Sequence, residues 1–254
     1  MIILLSPAKT LDFSKHNKNL NVSSTRFNDK SQQLINKLSR SSIKGLRELM
    51  SISKDLAVQN KERYEAYDLD KIDEVGKEAI LAFNGGVYLG LDSKTLPEDA
   101  FDYTQDHIRI LSGLYGILRP LDKIQEYRLE MGTKLPIRRK KNLYEFWGDQ
   151  PTHMLNEDLA EIKSDVIFNA ASKEYFKVIN QKKLNAKVID VDFKEMHNGE
   201  LKFISFNAKK ARGLISRFAI DNNILDYQDM RAFDYEDYSF NKVLSTDSKY
   251  VFTR

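Results

Sequence analysis

The stretch Lys187-Val-Ile-Asp-Val-Asp-Phe-Lys-Glu-Met-His-Asn-Gly-Glu-Leu-Lys-Phe-Ile-Ser-Phe206 decides what kind of sheet this chain builds. Lys187 to Phe193 reads as a strand and Leu201 to Phe206 as a second. Between them, His197-Asn-Gly199 carries the Asn-Gly pair that suits a tight hairpin. Upstream, Val166-Ile-Phe168 is wholly apolar, a candidate central strand, and Lys173 to Ile179 reads as a short helix. Downstream, residues 208–221 read as a basic helix. Helices and strands interleave, yet a hairpin sits among them. The expectation is therefore an α/β mixed (α+β) fold, a mixed central sheet flanked by helices, rather than a regular doubly wound one.

The remaining elements follow from the same signals. Ile2 to Leu5 reads as a buried strand ended by Ser6-Pro7, and Leu11 to Asn28 as a long loop. Residues 29–83 read as helical, with Ser42 capping a helix that carries Ile43, Leu46, Leu49 and Met50, and another running from Asp55 to Tyr67. Asn84-Gly-Gly86 breaks the pattern, Pro97-Glu-Asp99 reads as a helix start, His107 to Leu111 as a short strand and Trp147 to Ile162 as a helix. No internal repeat or Pro/Gly-rich linker interrupts the chain, so residues 1–254 are expected to form one domain.

Composition excludes several kinds of chemistry. With no cysteine, the chain has no disulfide, no thiolate nucleophile and no thiol-based redox sensor. The four histidines are scattered, with no pair at i, i+4, so spacing supports neither a metal site nor a cofactor. No apolar run approaches the roughly 18 residues that span a bilayer. The start lacks a basic leader, and a cytoplasmic protein without a membrane partner is expected.

Charge is segregated. From Lys173 to Arg217 nine Lys and two Arg oppose five acids, whereas from Asp221 to Asp247 seven acids oppose two bases, all within a chain of net +3. Segregation of this kind can build a one-signed surface that attracts polyanions, or simply a solvated helix face beside an acidic tail. Lys209, Lys210, Arg212 and Arg217 are the densest part of the basic block.

Four constellations stand out. Leu49-Met-Ser-Ile-Ser-Lys-Asp-Leu-Ala57 has the spacing of a helix-hairpin-helix, with Ser51 and Ser53 where that motif prefers glycine. Such a turn exposes backbone N–H groups at a helix N-terminus to a phosphate, and Lys54 adds charge. A plain helical hairpin packing a core is the other reading. The stretch from Leu111 to Gly132 mixes Arg119, Asp122, Arg128 and Glu130 with apolar residues, as a buried ion-pair network or a polar cleft would. Ser6-Pro-Ala-Lys-Thr10 leaves a strand end, a common ligand position, and Asn169 to Lys177 leaves another, so Ser6 and Lys9 are expected to share a rim with Ser172 and Lys173. Arg138-Arg-Lys-Lys141 reads as an exposed loop.

Together these stretches resemble the YaaA family of bacterial peroxide stress proteins. The resemblance is carried by SPAKTLDF (6–13), LMSISKDLA (49–57), AILAFNGGVYLGL (79–91), LSGLYGILRPLDKIQEYRLEMG (111–132), LYEFWGD (143–149), SKEYF (172–176) and FISFNAKKARGLISRF (203–218). Residues 221–254 carry little of it. It implies a cytosolic protein that limits damage from peroxide and free iron, and DNA binding through a basic cleft and a helix-hairpin-helix inserted in a mixed α/β fold.

The leading expectation is a DNA-binding protein of the peroxide stress response that takes duplex or distorted duplex without reading sequence, with DNA-repair proteins as further partners. Ser51, Ser53 and Lys54 supply the hairpin contact. Lys9, Arg128, Lys173, Lys209, Lys210, Arg212 and Arg217 are placed along the cleft, on the strength of the basic block and the motif positions. The alternative is an enzyme acting on a nucleotide or nucleic acid in a polar pocket, with Glu130, Glu174 or Asp122 as the catalytic carboxylate.

Overall fold

The hairpin at His197–Gly199 exists, and it hangs from a mixed sheet. The structure, a computed structural model, describes residues 1–254. Strand β1 (Ile2–Leu5) precedes helices α1 (Asn28–Leu38), α2 (Ile43–Met50), α3 (Lys54–Ala66) and the short α4 (Ile72–Val75). Next come β2 (Lys77–Glu78), α5 (Ala79–Ala82), α6 (Gly86–Leu91) and α7 (Ala100–His107). β3 (Ile108–Ser112), β4 (Gly116–Leu118) and β5 (Lys123–Ile124) lead to α8 (Leu143–Trp147) and α9 (Gln150–Glu161). The chain then runs through β6 (Val166–Asn169), α10 (Lys173–Phe176), β7 (Lys187–His197), β8 (Glu200–Lys202) and α11 (Ser205–Asp221). It ends with β9 (Ser239–Phe240) and β10 (Lys249–Thr253).

The main sheet has the order β4-β3-β1-β6-β7-β10-β9, with β8 paired to the far end of β7. β3, β1, β6, β7 and β10 run parallel, while β4, β8 and β9 are antiparallel additions. β1 and β6 are nearly all apolar because both lie inside the parallel set with each face covered. Register fixes the centre: Leu4 of β1 pairs with Arg109 on one side and Asn169 on the other. Beyond β1 the chain adds strands in opposite directions, β3 and β4 to one side and β6, β7 and β10 to the other. The carboxyl ends of β1 and β6 therefore diverge at a switch point, where open α/β sheets leave a crevice.

Two features lock the surroundings. Helices α6 and α11 cross at backbone distance: a Cβ on Gly213 would lie 1.8 Å from the Val87 carbonyl, and one on Gly90 2.1 Å from that of Lys210. Only glycine permits that approach. Beside β3, Asp158 of α9 accepts from Arg109 Nε at 2.7 Å and from Arg26 at 2.6 Å, and its side chain is only 6% exposed. Burial alone would raise the Asp158 pKa, but the hydrogen bonds and charges of Arg109 and Arg26 outweigh it and hold the carboxyl below its ordinary range.

Several boundaries differ from those expected. The strand expected over Leu201 to Phe206 stops at Lys202, and α11 already begins at Ser205. β8 stops opposite Glu195 although β7 continues back to Lys187, because the chain turns away there into α11. The helix expected over Trp147 to Ile162 is two helices, parted at Gly148, whose φ of +56° ends α8. The helical run of residues 29–83 is broken by β2, which pairs with β5. No helix is long and apolar enough to cross a membrane.

Candidate functional site

The crevice at the switch point is built from loops leaving β1 and β6. Ser6, just past β1, accepts from the backbone N–H of Ser172 at 2.9 Å and donates to its hydroxyl at 3.3 Å. Ser172 follows β6 and caps α10 by accepting from Tyr175 N–H. The Tyr88 hydroxyl, from α6, donates to the Ser6 carbonyl at 3.1 Å and holds that loop down. The glycines of Asn84-Gly-Gly86 let a third loop wedge in: a Cβ on Gly85 would lie 2.9 Å from that of Ala8, and one on Gly86 3.1 Å from that of Lys209. The rim expected for Ser6 and Ser172 is thus formed, with the start of α11 as its opposite wall.

Between α10, β7 and α11 lies a cleft of about 940 Å³. Its floor is acidic, Asp190 and Asp192 of β7, with Asn169 donating to Asp190 at 2.7 Å. Five cations surround that floor: Lys173, Lys177, Lys209, Arg212 and Lys249. Lys249 is 3.0 Å from Asp192, whereas the other four form no ion pair. Lys177 lies over the Tyr144 ring, 4.9 Å from its centroid. Arg212 is the most enclosed; burial lowers its pKa against the opposing pull of Asp192 and Asp190, and its Nε is buried without a hydrogen-bond partner. Such a guanidinium retains donors for an incoming anion.

A second polar cluster adjoins the cleft through α10. Glu130 is 3.0 Å from Arg128 and 3.3 Å from Lys9, and its other carboxylate oxygen is buried with no partner. Glu174 accepts from Gly132 N–H at 2.9 Å, which ties α10 to the segment carrying Glu130. Asp122 lies elsewhere, fully buried, accepting from Ser23 at 2.6 Å and from the Arg119 backbone at 2.8 Å.

The cations singled out from the sequence therefore divide. Lys173, Lys209 and Arg212 line the cleft. Lys9 and Arg128 sit in the Glu130 cluster. Lys210 pairs with Glu236, and Arg217 with Asp221 at 2.7 Å. Ser51, Ser53 and Lys54 occupy the turn between α2 and α3. Ser51 is left-handed (φ +53°), and Ser53 caps α3 by accepting from Leu56 N–H at 3.2 Å. That pair of helices lines no part of the cleft; it is fastened to the Glu130 cluster instead, through the Tyr64 hydroxyl on the Arg128 carbonyl and Arg63 on Glu126. Asn169 and Lys177 bound the stretch that the sequence places after β6, whereas Asp190, Asp192 and Lys249 carry no signal of a site in the sequence. The strand beginning at Lys249 was legible in principle, because Tyr250-Val-Phe252 is an apolar strand signal.

A family model described as "Peroxide stress protein YaaA" matches residues 1–244. The chain belongs to that family. It is 46% identical over 254 residues to a UPF0246 protein of Idiomarina loihiensis, covering 100% of this chain and 98% of the relative. A UPF0246 protein of Saccharophagus degradans is 43% identical over the whole chain and 99% of its own length. YaaA membership supports a role in peroxide stress.

Proposed function

We propose that the protein serves in peroxide stress by binding DNA through the phosphate backbone, without reading sequence, in the cleft at the carboxyl edge of β6 and β7. The observation that carries this reading is the set of four cations, Lys173, Lys177, Lys209 and Arg212, facing one cleft without a carboxylate partner. Cations held unpaired by the fold are available to displace the counterions condensed on a polyanion. Arg212, enclosed and rigid, fixes one phosphate; the lysines on the rim supply charge and reach. The acidic floor repels phosphates from the bottom of the cleft, which keeps a bound strand at its mouth. The turn between α2 and α3 adds a contact outside the cleft, with Ser53 and the first N–H groups of α3 against a phosphate and Lys54 beside it.

The test is a titration of labelled duplex by fluorescence anisotropy across salt concentrations. Four cleft cations plus Lys54 give an expected slope of log affinity against log salt of about −4.5. A slope near zero overturns the reading. One observation favours a second reading, an enzyme acting on a nucleotide: the unpartnered, buried carboxylate oxygen of Glu130 beside Arg128 and Lys9. Turnover of a nucleotide or DNA probe that disappears in Glu130→Gln, with DNA affinity unchanged, would establish it.

A further inference from the structure

Resting on the DNA reading above, we infer that Phe203 and Phe206 form a stacking site for unpaired nucleobases at the rim of the cleft. The preferred DNA is then single-stranded or locally open rather than perfectly paired. Of the 14 phenylalanines only these two are exposed, Phe203 at 54% and Phe206 at 64%. Neither ring meets another aromatic ring within the protein. Phe203 lines the cleft directly. Phe206 follows cleft-lining Ser205 and precedes cleft-lining Lys209 by three residues, a spacing that makes Phe206 and Lys209 neighbours on the helix surface. The adjacent hairpin prolongs the apolar rim: exposed Met196 pairs across it with Leu201, and strand alternation puts Met196 on the face of Asp192 in the floor.

Exposed rings interleaved with unpaired cations are the chemistry that holds single strands, since every base offers a π-face and every nucleotide a phosphate. In intact duplex those faces are covered by neighbouring bases, so the rings would have nothing to stack upon. Charge argues against the other occupants of an apolar rim. Lys173, Lys177, Lys209 and Arg212 beside the rings would face their own counterparts in a second copy, and lysine is depleted at protein–protein interface cores.

The experiment uses the full chain and three labelled probes at one salt concentration: oligo-dT of about fifteen nucleotides, a perfect duplex, and the same duplex with an unpaired central bubble. Bubble and oligo-dT are expected to bind at least about tenfold more tightly than duplex. Phe203→Ala combined with Phe206→Ala should erase that preference and leave duplex affinity within about twofold. Phe206→Trp should retain the preference and show indole quenching on adding oligo-dT. Equal affinity for bubble and duplex, or a preference that survives the double alanine variant, overturns the inference. So does a sedimentation result in which the double variant turns a dimer into a monomer. Loss of salt-dependent binding to all three probes would instead strike the DNA reading itself.

Discussion

On one flank of α11, Lys210 and Arg217 are closed off by Glu236 and Asp221; on the other, Lys209 and Arg212 face the cleft without forming an ion pair. All four come from one helix and one basic run. What separates them is the element each flank meets. The first meets the acidic C-terminal arm and the end of α6, where Arg217 also donates to the Asp92 carbonyl at 3.1 Å and to Thr95 at 2.7 Å. The second meets the carboxyl edge of the sheet, where carboxylates are present but stand below the rim. A cation that ends on a carboxylate holds the fold together; one without a partner is available for a ligand.

The extreme of the closed kind is Arg109, 3% exposed and dependent on Asp158. Asp158→Asn leaves two guanidinium groups without their counter-charge and should cost about 3–5 kcal/mol in urea unfolding at pH 7. Its pH dependence has a definite sign. The folded pKa of Asp158 is depressed below its ordinary 3.8, so the stability it contributes is complete above that value and is lost as pH falls through the folded one. The wild-type protein should therefore lose stability steeply below about pH 4, and Asp158→Asn should flatten that limb. Gly213→Ala attacks the seat on which both flanks depend, driving a methyl into the Val87 carbonyl, and should cost about 3 kcal/mol in thermal unfolding.

Lys209→Ala with Arg212→Ala sharpens the comparison without unfolding anything. DNA affinity should fall about tenfold and the salt slope by about 1.8, since two phosphate contacts are lost. The mirror experiment is Lys210→Ala. Its half-exposed pair with Glu236 is worth about 0.5 kcal/mol or less, and DNA affinity should be unchanged in the same anisotropy assay. If the two flanks gave equal losses, the distinction between closed and open cations would fail.

The sequence made the sheet legible where apolar runs are continuous. Ile2–Leu5 and Val166–Phe168 read as strands because a buried parallel strand has little room for polar residues. The Ser42 cap, and the hairpin at Asn198-Gly199, were legible for an equally local reason, since each is settled within four residues. Lys210 was not distinguishable from Lys209 and Arg212, because pairing with Glu236 depends on how a later segment folds back, whereas Asp221 stands four residues after Arg217 on the same helix. Phe206 reads as the end of a strand yet lies in the first turn of α11, since a short apolar run fits either period. Asp190 and Lys249 reach the site through β7 and β10, whose neighbourhood is a matter of sheet order and is written in no single stretch.

The position of β10 has one more consequence. It is synthesised after the other seven strands of its sheet, yet it pairs in parallel with β7 and delivers Lys249 to the cleft. A nascent chain on the ribosome therefore carries the other four cleft cations before the strand that buttresses their floor exists. Protease protection of ribosome-held chains, stalled before and after this strand has emerged, should show the cleft walls settling only in the longer ones. Persistent protection in the shorter chains would mean that β7 stands without its neighbour.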